Sequence, residues 1–492
     1  MGVEEEAVVG AGAAFERGKR RVGLVGGPVL AVALALICHD SASPELIGLM
    51  VLCVTWWLTE ALPIAAVALA AAIGAVLLGL ATPKVAFQAF GTPLLFMFVG
   101  SFFIAEAMQV HGLGARIAEA VARKARGRLS FLAAISIVAF FQSMLMSNTA
   151  ATAILLPLVL GMAPKHDRYA AALVLAVAWG ASIGGLGTPV GTPPNALGLV
   201  ELHQRGVHLN FVEWMVIGVP IGLVMLGGLI VVLAFAFGVR RGQPLPARDI
   251  PHARAWSQGE RAVLIAFAVA LAGWLAPTVA SLVAPGSPAA AWIDAHITEE
   301  IVAVFAGCLL FVLPGGTTAE AAGSVPGRSI TRPALTWPEA TRIEWGVILL
   351  FGGGILLGSL AKSTGLAAEW GRALVDATGA SGTWSITALV TGTAIVLSEA
   401  TSNTATASMM APLAGALAAA AGVAPIPAIL GATMGSSFGF MMPISTAPNA
   451  LAYATGRVSV GQMLKIGIVF DVIGFVIIVA ALRVMCPLFG WT

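Results

Sequence analysis

Two copies of one short polar string sit inside otherwise apolar sequence: Ser147-Asn148-Thr149-Ala150 and Ser402-Asn403-Thr404-Ala405. A proline follows each serine by ten residues, Pro157 and Pro412. Further on, G-T-P-P-N closes on Asn195 and S-T-A-P-N closes on Asn449. The two S-N-T strings lie 255 residues apart and the two asparagine-ended strings 254. Hydroxyls and amides repeated in register point to a two-fold-repeated membrane site for a small polar solute.

The residue types suit ions of both signs. A helix broken at such a string offers free N-terminal N–H groups, with partial positive charge, to an anion. The other half of the break offers free carbonyls to a cation. Asn148 and Asn403 can donate and accept at once, so an amide oxygen on a cation and its nitrogen on a carboxylate or sulfate would couple two ligands. Gly184, Gly185, Gly187, Pro189 and 191–195 unwind one partner segment, and Gly435, Gly439 and 443–449 unwind the other. Glycine lets backbone approach an ion, and proline removes an N–H and breaks the helix. We read each tip and its loop as a cage for one Na⁺, because neutral oxygens suit a hard cation without placing a full charge in the membrane. Ser143 and Ser398, one helical turn before the motif serines, either add ion contacts or back-bond to their own helix. A lone S-N-T is usually a back-bonded or helix-gluing string; four clusters in matched register carry the ligand site.

The elements that hold these strings follow from composition. The chain has 492 residues, 58% hydrophobic and 10% charged, far below the charged share of about 25% in soluble domains. Apolar runs long enough to cross about 30 Å of hydrocarbon recur throughout, too long and continuous for barrel strands. An all-α polytopic membrane protein follows, with spans at 22–38, 45–60, 63–82, 93–110, 169–200, 214–238, 261–283, 299–314, 344–361, 424–453 and 462–486. The net charge of +2 implies no nucleic-acid partner. Cys38, Cys53, Cys308 and Cys486 lie in or beside apolar runs without metal or disulfide spacing. The acidic start (Glu4, Glu5, Glu6) does not read as a cleaved signal peptide; Met1–Phe15 reads as a disordered stretch of a cytoplasmic tail, 1–21.

The basic connections, 17–21, 116–128, 165–168, 240–261 and 328–342, all fall inside when the N-terminus is cytoplasmic. The C-terminus is then external. This works only if 129–163, flanked by basic residues on both sides, enters and leaves by the same face. After the break, 150–163 makes only about 20 Å of helix. The segment is therefore expected as a re-entrant hairpin, and 382–422 as its counterpart from outside. The first span, 22–44, stands apart; 45–240 and 261–486 form an inverted repeat joined by a linker at 241–260. Each half would contain one hairpin and one unwound helix, 169–200 and 424–453. Phe98–Ser101 echoes Phe351–Gly354, and Gly112-Leu113 echoes Gly365-Leu366; the latter pairs open amphipathic stretches, 115–126 and 367–376, expected at the interface.

Glu60, Glu106, Glu399 and Asp471 are the ionisable residues in or beside spans. Glu60 and Asp471 read as interfacial. Glu399 reads as an organiser of its hairpin or as a proton or cation site. Neither motif cluster contains Arg or Lys, so an anion must be held by dipoles, amides and co-bound cations. The scattered histidines form no metal or nucleophile–base constellation that would suggest an enzyme.

The paired S-N-T strings, the two P-N loops and eleven spans with opposed hairpins resemble the divalent anion/sodium symporter (DASS) family, over roughly residues 20–490. The resemblance implies a bacterial inner-membrane symporter, a homodimer of elevator type, driven by Na⁺ with no organic cofactor. The implied substrates are C4-dicarboxylates (succinate, malate, fumarate), with citrate or sulfate in some members and exchange in others. It implies substrate contacts at Ser147, Asn148, Thr149, Ser402, Asn403 and Thr404, with Thr192 and Thr446 nearby. It implies one Na⁺ site at Ser143, Ser147, Asn148 and Gly191, and a second at Ser398, Thr401, Asn403 and Ser445. Ala447 departs from the family's T-P-P-N, which bears on the second loop and the pocket.

Overall fold

The computed structural model describes residues 2–162, 167–245, 254–317, 331–379 and 381–492, with side chains from residue 18 onward except 374, 375 and 378. Helices dominate. The helical fold class is as expected, and among the described residues one short antiparallel pair, Pro314–Thr317 with Thr331–Pro333, is added to it. Helix Glu299–Leu309 stops short of the expected 314, and the freed carbonyls are taken laterally: Ala334 N donates to Leu313 O at 2.7 Å and Leu335 N to Leu310 O at 2.9 Å. The first helix runs Gly2–Ile37, so residues expected as a disordered tail extend it. That stretch is rich in Ala and Glu, which favour helix.

Among the described residues seven helices are long and apolar enough to cross a membrane, including Phe211–Phe237, Gln258–Val283 and Val460–Leu488. Shorter apolar helices lie between them, among them Pro44–Thr59 and Ile64–Leu77. Proline, glycine and polar tips interrupt the rest, so sequence runs of span length become two shorter helices. The chain is a polytopic helical membrane protein.

Segment 129–163 is two helices, Arg128–Ser143 and Asn148–Leu160; its last residue, 163, lies outside the described residues. Both arms pack on helix Arg168–Gly184. At one end Arg128 pairs with Asp167 at 2.8 Å, and its carbonyl accepts from Tyr169 Oη at 2.8 Å. At the other end Gly184 seats on the Phe140 backbone and Gly185 on the Asn148 amide. The first arm thus runs parallel to Arg168–Gly184, and the second, starting at the far end against the same helix, comes back. No glycine or proline makes this turn. Ser147 does, taking extended backbone and accepting from Ala150 N as the N-cap of the returning arm.

The second copy repeats the arrangement with Thr383–Ala400 and Asn403–Ala420 on Pro425–Gly435. Gly435 seats on Thr391 O, and Ser398 Oγ donates to Ser436 O at 2.8 Å. The expected amphipathic stretches are helices Leu113–Lys124 and Leu366–Thr378.

The halves interlock crosswise. Helix Pro193–Gln204 of the first packs on Asn403–Ala420 and Pro425–Gly435 of the second, while Ala447–Ala454 packs on Asn148–Leu160 and Arg168–Gly184. Helix Arg168–Gly184 is buried from Tyr169 onward and forms the centre of the molecule. It is apolar on every face, as a helix surrounded by protein must be.

Candidate functional site

Each tip is a helix N-terminus with its own cap. Ser147 Oγ accepts from Ala150 N at 3.3 Å, and Ser402 Oγ from Ala405 N at 3.2 Å. Accepting leaves each hydroxyl proton available to donate, and that of Ser147 goes to the Glu344 carboxylate. The N–H groups of Asn148 and Thr149, and of Asn403 and Thr404, stand in the first turn without intrahelical acceptors. Such an end binds an anionic oxygen.

Behind each tip the asparagine is held by the serine of the preceding arm. Ser143 Oγ donates to Asn148 Oδ1 at 2.6 Å, and Ser398 Oγ to Asn403 Oδ1 at 2.8 Å. Both serines bond to the tip asparagine rather than to their own helix, so the back-bonded reading does not hold. Asn403 also donates to Ser437 O at 3.2 Å. Facing each amide is a glycine: a Cβ at Gly185 would lie 2.6 Å from Asn148 Oδ1, and one at Gly439 3.3 Å from Asn403 Oδ1. The same glycines lie against Thr192 and Thr446.

The loops are tied by their closing asparagines. Asn195 Nδ2 donates to Gly185 O at 2.8 Å and Thr188 O at 2.7 Å; Asn449 Nδ2 donates to Gly439 O at 2.6 Å and Met442 O at 2.9 Å. Gly191 is required beside Gly185, where a Cβ would meet the Gly185 carbonyl oxygen at 2.5 Å. Ser143, Asn148, Gly191 and Thr192 thus gather around Gly185, and Ser398, Asn403, Ser445 and Thr446 around the 436–439 turn. Thr401 is turned aside: its hydroxyl donates to Leu397 O at 2.9 Å and meets Thr406 Oγ1 at 2.7 Å. Thr404 is half-buried at the second tip.

The halves differ in three respects. Glu399 is an organiser: Oε1 accepts from Phe440 N at 2.6 Å and Met441 N at 3.0 Å, and Oε2 from Ser445 Oγ at 2.9 Å. Ser445 thereby faces the carboxylate as well as the tip. Second, Ala447 does not undo its loop, because Thr446 caps the next helix through Asn449 N at 3.3 Å. Third, Asp471 is not interfacial as expected. It lies well inside helix Val460–Leu488, 4% exposed, facing Glu399. Gly467 and Gly474, one turn to either side of it, seat on the Phe440–Met441 backbone and the Phe438 ring and so fix that face inward. The expected span, 462–486, already set Asp471 some turns from its end; that depth was the available signal.

Glu60 is at the surface as expected, capping Pro44–Thr59 in a left-handed conformation (φ 49°) and pairing with Lys19 at 3.9 Å. Ser147 and Thr149 line a cavity of about 350 Å³ that Glu106, Arg342 and Glu344 also line, with Glu344 bonded to Ser147. Arg342 comes from the connection at 328–342, so a cation does reach the first tip, accompanied by two carboxylates. No motif spacing announced it.

Oxygens from amides, hydroxyls and carbonyls, arranged twice around helix ends, can bind a hard cation and an anion side by side. Among the described residues no group of three or more His, Cys, Asp or Glu converges. The fold and the paired sites define a membrane transporter.

The family model described as "Citrate transporter" (CitMHS) matches residues 54–435. The chain belongs to this transporter family, in agreement with the divalent anion/sodium symporter resemblance of its motifs, and it is not an enzyme. The sodium-dependent dicarboxylate transporter SdcS of Staphylococcus aureus strain USA300 is 29% identical over 493 residues, covering 95% of this chain and 91% of that protein. The SdcS of strain bovine RF122 / ET3-1 is 30% identical over 492 residues with the same coverage. The crystal structure of the Alcanivorax borkumensis YdaH transporter matches with a TM-score of 0.57 at 17% identity, over 83% of this chain and 88% of that one, a likeness of fold alone.

Proposed function

We propose that the protein is a secondary transporter that couples Na⁺ to the uptake of C4-dicarboxylates such as succinate, malate and fumarate. The observation that carries this reading is the duplicated lock of Ser143 on Asn148 and Ser398 on Asn403. It presents two equivalent oxygen-rich tips beside two helix N-termini. A dianion deep in the membrane needs cations beside it, and Arg342, with Glu106 and Glu344 around it, brings no net positive charge. Na⁺ bound at the tips supplies that charge, so ions bind first and organise the anion site. The sodium dependence in the name of SdcS supports the coupling.

In this reading Ser147, Asn148, Thr149, Thr192, Ser402, Asn403, Thr404 and Thr446 contact the substrate. One Na⁺ sits among Ser143, Ser147, Asn148 and Gly191, the other among Ser398, Thr401, Asn403 and Ser445. Eleven spans cross the bacterial inner membrane, the N-terminus is cytoplasmic, the C-terminus external, and the segments at 129–163 and 382–422 re-enter from opposite faces. The tips and loops move as one body against the remaining helices, an elevator, in a homodimer.

Uptake of labelled succinate by proteoliposomes tests it. An inward Na⁺ gradient drives uptake, choline in its place does not, and Asn148→Ala and Asn403→Ala each abolish it in folded protein. Equal uptake in choline that depends on internal dicarboxylate would replace symport with exchange. Preference for citrate or sulfate in the same assay would change the substrate and keep the site.

A further inference from the structure

We propose that an anionic phospholipid binds where helices Arg128–Ser143 and Phe211–Phe237 meet, its phosphate between Arg126 and Arg241 and an acyl chain along Leu129, Ala133, Ile230 and Val231. This goes beyond the transport reading and does not depend on it. The six residues line one cavity of about 680 Å³, and among the described residues no carboxylate lines it. Arg126 stands just before the first helix and Arg241 just past the end of the second. The two cations form a rim, and the apolar wall runs away from them along both helices. A cationic rim over an apolar wall matches a molecule with an anionic head and a hydrocarbon tail.

The arginines at this end are not alike. Arg128 pairs with Asp167 at 2.8 Å and lies over the Tyr169 ring, and Arg168 donates to Ala236 O at 2.9 Å. Arg126 and Arg241 are exposed and form no ion pair among the described residues. Their charge is therefore available to a ligand. Backbone bonds hold the rim together although the sequence sets its two sides far apart. Arg128 N donates to Gln243 O at 3.0 Å, and the Gln243 side chain accepts from Arg240 N at 3.0 Å and donates to Gly238 O at 3.3 Å.

The helix ends agree with the charge. Gly127, Leu129 and Ser130 bring the start of Arg128–Ser143 to the cavity, and a helix start carries partial positive charge. The end of Phe211–Phe237 would repel an anion, but its carbonyls are taken: Ala234 O by Val239 N, Phe235 O by Gly238 N and Ala236 O by Arg168. The wall opens to hydrocarbon, since Val231 is 67% and Phe235 91% exposed on a helix long and apolar enough to cross a membrane. A bilayer lipid reaches such a wall from within the membrane and carries its phosphate at the level of the helix ends. Bound there, it clamps the start of the helix whose last residue is Ser143.

Thermal-shift titrations of the full-length protein in a neutral detergent test this, with phosphatidylglycerol, phosphatidylcholine of the same chains, and inorganic phosphate as ligands. Phosphatidylglycerol should raise the unfolding temperature saturably and phosphatidylcholine should not. Inorganic phosphate should give no response that depends on either arginine. Arg126→Gln and Arg241→Gln, both at exposed positions, should each raise the half-saturating phosphatidylglycerol concentration about fivefold, and together about 25-fold. Lys124→Gln, which removes an exposed cation outside the cavity, should change it by at most about twofold. Equal stabilisation by phosphatidylcholine overturns the proposal, as does an equal loss in Lys124→Gln or no loss in the double arginine variant. Stabilisation by inorganic phosphate that the arginine variants lose also overturns it, because the chain would then play no part.

Discussion

Trp179 and Asn449 join the two halves: the indole Nε1 donates to the amide oxygen at 3.1 Å, and both residues are fully buried. Asn449 is thereby satisfied on both sides, since its nitrogen already ties Gly439 and Met442. At the matching place in the other half stands Thr433, and its hydroxyl and Asn195 Oδ1 are both buried without a partner among the described residues. The two sites share a plan and differ in how firmly they are bolted.

Removing the bolt leaves an unpaired buried oxygen. Trp179→Phe should cost about 1–3 kcal/mol and lower the unfolding temperature of the purified protein. A variant with unchanged thermal stability would show that Asn449 needs no partner there.

Glycine contacts grade the two sites. A Cβ at Gly185 is forced into Asn148 Oδ1 at 2.6 Å, whereas at Gly439 the nearest atom is Thr446 Cγ2 at 3.0 Å. Gly185→Ala should therefore raise the half-saturating Na⁺ concentration about tenfold or more, an effect of about 1.4 kcal/mol, and Gly439→Ala by less. The reverse order would contradict the assignment of the amide oxygens to the ion.

Hydrogen bonding grades them the same way. The single hydroxyl proton of Ser398 is shared between Asn403 Oδ1 and Ser436 O, while that of Ser143 goes to Asn148 alone. An undivided bond is worth about 1 kcal/mol, so Ser143→Ala should weaken Na⁺ binding more than Ser398→Ala in direct titrations.

Arg342 shares a cavity with Ser147 and Thr149. It offsets the carboxylates of Glu106 and Glu344 in the same cavity, and without it they would repel an arriving anion. Arg342→Gln should raise the half-saturating substrate concentration with little change in maximal rate, and the difference should shrink at high ionic strength, where charges are screened.

Outside the long apolar helices, Glu369 fastens helix Leu366–Thr378 to the 41–42 turn, and the Ala42 N–H and then the Ser41 hydroxyl hold its carboxyl below the usual carboxylate range. A lowered pKa stabilises the fold above the ordinary carboxylate range, and the gain is lost as pH falls through the lowered value. The thermal-stability gap between wild type and Glu369→Gln should therefore be full at neutral pH and close in acid.

Much of this was legible in the chain itself. Apolar run length required helices in a bilayer, and the duplicated strings located both tips, both loops and the offsets between them. Those properties are local: a cap serine, a loop proline or a 20-residue apolar run acts through its immediate neighbours. Only the tertiary structure decided that Ser143 and Ser398 turn to the tip amides, that Asn195 and Asn449 tie the loops, and that Trp179 reaches into the other half. It also moved Asp471 from the expected surface to Glu399 and brought Arg342 to the first tip. A hydroxyl or carboxyl can bond to its own helix or to a partner hundreds of residues away at similar free energy. Packing, which places the donor, makes that choice.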